Sequence, residues 1–99
     1  MKMPINVEVK FLGAYQRLAG KKCIQLILEK PTTIRKVMKH LTETLSEDFK
    51  GAIIDSQLGE PRPNALILVD GKEINVLQGL ETEIKQAQEI TLIPMVHGG

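Results

Sequence analysis

Thr33-Ile34-Arg35-Lys36-Val37-Met38-Lys39-His40-Leu41-Thr42-Glu43-Thr44-Leu45-Ser46 is the stretch on which the fold turns. Ile34, Val37, Met38, Leu41 and Leu45 recur at helical spacing, so the sequence predicts one amphipathic helix running to about Ser46. Thr32 or Thr33 stands at its N-cap, where a short hydroxyl side chain accepts an otherwise orphaned N–H. Arg35 and Lys36 in the first turn oppose the helix dipole, at a cost of roughly a few tenths of a kcal/mol. The apolar stripe outweighs that, because burying each large side chain contributes roughly 1.5–3 kcal/mol before entropy is subtracted.

The segments around this helix read as strands. Ile5 to Phe11 alternates apolar and polar, with Ile5, Val7, Val9 and Phe11 on one face. Leu12 to Lys21 is a connecting loop framed by Gly13 and Gly20, with room for one helical turn. Lys22 to Leu28 is a second strand, with Ile24, Leu26 and Leu28 on one face and Cys23, Gln25 and Ile27 on the other. The two strands are close enough in sequence to pair through a wide loop. Glu47 to Asn64 reads as a loop with a short helical turn, since Gly51, Gly59, Pro61 and Pro63 forbid a long element. Ala65 to Val69 is a strand apolar on both faces. Asp70-Gly71 is a two-residue hairpin turn, both positions tolerating positive φ, and Lys72 to Val76 returns as an antiparallel strand. Leu77 to Ile84 is a connecting turn. Glu89 to Ile93 is the last strand, and Pro94 ends it by removing a ladder donor. The order β-β-α-β-β-β places one helix on one face of one sheet, an α+β two-layer domain over residues 1–94, with residues 95–99 as a flexible tail.

Composition narrows the function. The chain has 99 residues, one domain's length. Its 13 basic and 12 acidic residues give a net charge of +1, no footprint for nucleic acid or an anionic membrane. One cysteine allows no internal disulfide, so packing alone must hold the fold. No apolar run approaches the roughly 20 residues of a membrane helix. Met1-Lys2-Met3-Pro4 is not the opening of a signal segment, and a cytoplasmic location is expected. Two histidines, one cysteine and one tyrosine are a short stock of acid–base and nucleophilic groups, which weakens the case for a self-contained enzyme.

The sequence given closes on Gly98-Gly99. Glycine has no Cβ, so such a segment is thin enough to thread a narrow channel and present its carboxylate to a reactive centre. Val7-x-Val9-x-Phe11, Gly13 to Gly20, Thr33-Ile34, Leu68-Val69-Asp70-Gly71, Leu77-x-Gly79-Leu80-Glu81-Thr82-x-Ile84, Glu89 to Pro94 and Gly98-Gly99 together resemble the MoaD/ThiS sulfur carriers. These are ubiquitin-like β-grasp proteins, and the small archaeal modifier proteins belong to the same group. The resemblance covers about Ile5 to Gly99. It implies a mixed β-sheet with one main helix packed on one face.

The resemblance also implies a chemistry. A ubiquitin-activating-type adenylating enzyme would use ATP to adenylate the carboxylate of Gly99, with Gly98 supplying slimness beside it. No cofactor would be bound by the chain itself. A sulfur donor would turn the acyl-adenylate into a thiocarboxylate for a molybdopterin synthase large subunit or another sulfur acceptor, such as those for thiazole or thiolated tRNA. In modifier proteins of the group, the activated carbonyl meets a target-protein lysine instead. On either route the resemblance implies a carrier or co-substrate, not an enzyme, with the catalytic groups in its partners. One element departs from the family pattern: Gln86-Ala87-Gln88-Glu89 stands where an acidic-Gly-Asp turn is common. The long Glu47 to Asn64 segment favours the MoaD or small-modifier branch over compact thiamin-type carriers.

Other residues were weighed for chemistry. Cys23 falls on the outer sheet face with no activating histidine or carboxylate at a local spacing. His97 has no second ligand nearby and reads as a spacer or partner contact, while His40 reads as solvated. The sheet face away from the helix is expected to show Ile27, Leu68 and Ile93, which with Met95, Val96 and His97 form the expected partner interface. The alternative is that the long loop before Ala65 folds back over that face.

Overall fold

In the computed structural model, which describes residues 3–95, seven strands and three α-helices alternate along the chain. The strands are β1 (Ile5–Phe11), β2 (Cys23–Leu28), β3 (Thr32–Thr33), β4 (Ala65–Val69), β5 (Lys72–Glu73), β6 (Glu83–Ile84) and β7 (Gln88–Pro94). The helices are α1 (Ala14–Ala19), α2 (Ile34–Thr44) and α3 (Glu47–Ile53). Five strands form one sheet in the order β2-β1-β7-β4-β5, and β3 with β6 forms a separate two-stranded ladder. β1 and β7 are parallel at the centre, with Val9 opposite Ile90 and Phe11 opposite Leu92. The other pairs in the five-stranded sheet are antiparallel. This mixed, helix-covered sheet is the β-grasp arrangement.

The core follows from the two periodicities meeting. Val7, Val9 and Phe11 of β1, Ile90 and Leu92 of β7, and Ile67 and Val69 of β4 are buried on one sheet face. Ile34, Val37, Met38 and Leu41 of α2 are buried in the same cluster. α2 starts where the sequence places it. The Thr33 side chain accepts the N–H of Lys36 at 3.3 Å, and β3 fixes the entry by pairing Thr33 with Glu83. Arg35 lies 2.7 Å from Glu81, an exposed pair worth at most about 1 kcal/mol.

Four expectations need correction. The Glu47 to Asn64 segment carries a full helix, α3, because Ser46 caps it by accepting the N–H of Phe49 at 3.1 Å, and Gly51 lies on its exposed side. Phe49 from α3 is fully buried between Phe11 and Tyr15, with ring centroids 5.6 and 5.8 Å away in edge-to-face geometry. The strand after the hairpin stops at Glu73, whose carboxylate accepts the N–H of Asn75 and starts a 3₁₀ turn over Ile74–Val76 that buries Ile74. Leu77 to Ile84 is more than a turn, since its last two residues form β6. Pro94 does not end the ladder: it pairs opposite Ala65, and the N–H of Met95 donates to the Asn64 carbonyl at 3.0 Å. The Asp70-Gly71 turn is as expected, with φ of 49° and 83°. Among the described residues, no helix is long and apolar enough to cross a membrane.

Candidate functional site

Val96, His97, Gly98 and Gly99 lie outside the described residues, so the site is built from the place where β7 delivers the chain to them. β7 leaves the sheet centre beside the end of β1, and the N–H of Leu12 still bonds the carbonyl of Leu92 at 3.0 Å. The end of β7 is held on two sides. The Asn64 carbonyl accepts from Met95 N–H and, at 2.8 Å, from the buried hydroxyl of Tyr15. On the other side Gly13, at φ +55°, lies against the Pro94 ring: a Cβ built there would stand 3.3 Å from Pro94 Cγ. Its positive φ favours glycine, and a side chain there would press on the Pro94 ring.

The sheet face away from α2 divides in two. Over β1 and β2 it is mostly polar, Ile27 and Cys23 excepted. Lys10 bridges to Glu89 at 3.0 Å and to Glu8 at 3.9 Å, and Gln25 donates to Glu8 at 3.0 Å. The hydrogen bond and charge of Glu89 raise the Lys10 pKa above its ordinary value. Over β4 and the end of β7 the face is apolar. The register sets Leu66 opposite Ile93 and Leu68 opposite Thr91. All three aliphatic side chains are half-buried, and Met95 beside Leu66 is 46% exposed. The loop after α3 does not cover this face. Ile54, Gly59, Glu60 and Pro61 lie instead against Met38, Lys39 and Thr42 of α2, on the helix side.

The expected interface residues are therefore only partly brought together. Ile93 and Met95 lie at the end of β7 where the chain leaves, and Leu68 lies further back on the same face, opposite Thr91 at the middle of β7. Ile27 does not join them, although it is 69% exposed on the same face. It pairs with Asn6 near the start of β1, whereas Ile93 is level with the end of β1, two strands away. Alternation alone places residues on a face but not along it. Leu66 was missed, although Ala65 to Val69 being apolar on both faces was the signal for it. The role of Tyr15 had no local signal, because its partner lies 49 positions away.

Cys23 is exposed on the outer face and His40 is exposed on α2. Among the described residues no group of three or more His, Cys, Asp or Glu side chains is placed to hold a metal ion. The replaced turn before β7 is closed by Asp70: its carboxylate accepts the Glu89 N–H at 2.9 Å and the side-chain amide of Gln88 at 3.3 Å. The side chain of Gln88 thus supplies a contact of its own within a turn that departs from the family pattern.

Comparison with known proteins adds the following. The profile of the Urm1 (Ubiquitin related modifier) family matches residues 6–99. The small archaeal modifier protein 3 of Haloferax volcanii is 25% identical over 95 residues, 96% of this chain and 100% of that protein. A protein of Archaeoglobus fulgidus whose name proposes a sulfur carrier is 28% identical over 67 residues, 68% of this chain and 74% of its own. The solution structure of small archaeal modifier protein 1 from Methanosarcina acetivorans superposes with a TM-score of 0.78 at 28% identity, covering 98% of this chain and 99% of that one.

Proposed function

From the fact that this chain belongs to the Urm1 (Ubiquitin related modifier) family, we propose that it is a ubiquitin-like sulfur carrier whose reagent is the carboxylate of Gly99. A carboxylate at neutral pH is a poor electrophile, since its charge repels nucleophiles and it has no leaving group. In the proposed first step, an oxygen of that carboxylate attacks the α-phosphorus of ATP held by an adenylating partner. Pyrophosphate leaves and an acyl-adenylate forms. In the second, a hydrosulfide-equivalent sulfur from a donor protein attacks the acyl carbon, AMP leaves, and a thiocarboxylate remains. The thiocarboxylate then gives its sulfur to an acceptor enzyme such as a molybdopterin synthase large subunit.

The observation that carries this reading is the family match, which runs from β1 through Gly98 and Gly99. The course of β7 supports it. That strand leads from the middle of the sheet to an anchored end at Met95, four residues before Gly99, beside an uncovered apolar face. The folded part serves as the handle and the partner supplies the catalytic groups.

The second reading is a modifier joined through Gly99 to lysines of target proteins, favoured by the likeness to two small archaeal modifier proteins. Intact-mass spectrometry of the protein isolated from its own cells, and after incubation with its adenylating partner and ATP, separates the two. One oxygen replaced by sulfur at the terminus supports the carrier. A Gln86–Gly99 branch on lysines of other proteins after trypsin, whose last cleavage site in this chain is Lys85, supports the modifier. A terminus that never acquires AMP or sulfur, with no such branch on any lysine, overturns both.

A further inference from the structure

β2 is an edge strand: it pairs with β1 on one side, and among the described residues nothing pairs with the other. The N–H of Phe11 donates to the Lys22 carbonyl at 2.8 Å, and antiparallel alternation from that pair turns the backbone groups of Ile24, Leu26 and Leu28 toward β1. Those of Cys23, Gln25 and Ile27 face the free edge. Beside this edge the helix layer falls short of the sheet. Val7 and Val9 of β1 are fully buried under α2, but Leu26 and Leu28 of β2 are half exposed on the same face. A groove of ≈ 610 Å³ runs between β2 and α2, floored by Leu26, Leu28 and Val37. Lys30, Lys36 and His40 also line it, against one carboxylate, Glu29.

Free sheet edges are usually blunted by charges along the strand. Here all six residues of β2 are uncharged, with Lys21 and Lys22 before it and Glu29 and Lys30 after it. An unguarded row of donors and acceptors beside an apolar trough that two lysines line against one carboxylate has a definite complement. We propose that the β2 edge and its groove bind an extended peptide segment of a partner protein, added to the sheet as a further strand. Its alternate side chains are apolar and drop over Leu26, Leu28 and Val37, and acidic residues flank it. Main-chain bonds to Gln25 and Ile27 give affinity, and the lysines select the acidic flank. This site lies across the sheet from the apolar patch of β4 and β7 and needs no tail chemistry.

The test is a titration of the ¹⁵N-labelled full chain with a synthetic peptide in which valine alternates with threonine ahead of a run of aspartates. A second peptide replaces the aspartates by lysines. Saturable shifts are expected at the amides of Gln25, Leu26, Ile27 and Val37. Affinity should fall about three- to tenfold for the lysine peptide and for Lys36→Glu, since a rim charge modulates affinity only modestly. Lys36→Glu keeps the backbone N–H that Thr33 caps, so folding is retained. A chain lacking Gly98 and Gly99 should bind equally, which keeps this result separate from the carrier reading. No saturable shift overturns the proposal, as does binding indifferent to Lys36→Glu and to peptide charge. Shifts centred on Leu66 and Ile93 overturn it too, as do concentration-dependent β2 shifts without peptide, which would make a second copy the occupant.

Discussion

The hydroxyl of Tyr15 donates to the backbone carbonyl of Asn64 at 2.8 Å, and so a side chain of the first short helix fixes the loop on which the last strand ends. That carbonyl also accepts from Met95 N–H, the last tether before the residues that follow β7.

Tyr15→Phe removes one of two donors to that carbonyl and leaves the other. The expected loss of stability is about 1 kcal/mol, read from the urea midpoint at constant slope. The substitution also changes the alkaline limb. Burial pushes the Tyr15 pKa from 10.0 up to about 12. The folded state therefore holds this proton more tightly than the unfolded chain does. The stability linked to it is fully present below pH 10 and is lost as pH rises from 10 toward about 12. Over that window the native protein should lose stability faster than Tyr15→Phe. Parallel alkaline limbs would show that Tyr15 does not titrate this way.

Asp70 is the one non-glycine residue with positive φ among those described, and its carboxylate accepts the Glu89 N–H. Asp70→Asn keeps both a side-chain acceptor and tolerance of φ 49°, so it should cost less than about 0.5 kcal/mol. Asp70→Ala loses both and should cost about 1–2 kcal/mol in thermal or urea unfolding. Equal values for the two would mean that the capping bond contributes nothing.

What the sequence made legible was whatever depends on local periodicity. The stripe Ile34 to Leu41 and the alternation of β1 gave the core, and Asp70-Gly71 gave the hairpin. What it hid depends on contacts distant in the chain. β6 is two residues long and exists because Thr32 and Thr33 lie beside it, a pairing that no local pattern encodes. The run Lys72 to Val76 looked like a strand, but the carboxylate of Glu73 turns it at Asn75. At the candidate site, Leu68 and Ile93 were readable as outward-facing, but which outward residues are neighbours is set by strand order and register. That is why Leu66 belongs with them and Ile27 does not.

Phe49 shows how much of the core α3 supplies. It is fully buried against Phe11 and Tyr15, so Phe49→Ala removes a large apolar volume and both aromatic contacts. The expected cost is about 3–5 kcal/mol, a large share of the stability of a chain this size, with Phe49→Leu costing less. If α3 were a dispensable insertion, Phe49→Ala would lower the melting temperature by no more than a surface substitution does.

The division of the open sheet face makes the last prediction. Leu66 and Ile93 pair at the end where β7 hands the chain on, Leu68 continues the apolar face beside them opposite Thr91, and Ile27 lies at the far corner of the same face. If the adenylating partner grips the apolar half, a charge there must be desolvated at the interface and should cost heavily. A charge at Ile27 should cost little. Leu68→Asp is expected to weaken partner binding by at least tenfold, about 1.4 kcal/mol or more, and to slow adenylation at limiting partner concentration. Ile27→Asp should change either quantity by less than about threefold. Ile27 is exposed and Leu68 half-buried, so circular dichroism should stay native for both, with the urea midpoint unchanged for Ile27→Asp and lowered modestly for Leu68→Asp. A partner that binds Leu68→Asp as tightly as the native protein, or that is disrupted equally by both substitutions, would move the docking surface away from the apolar half of this face.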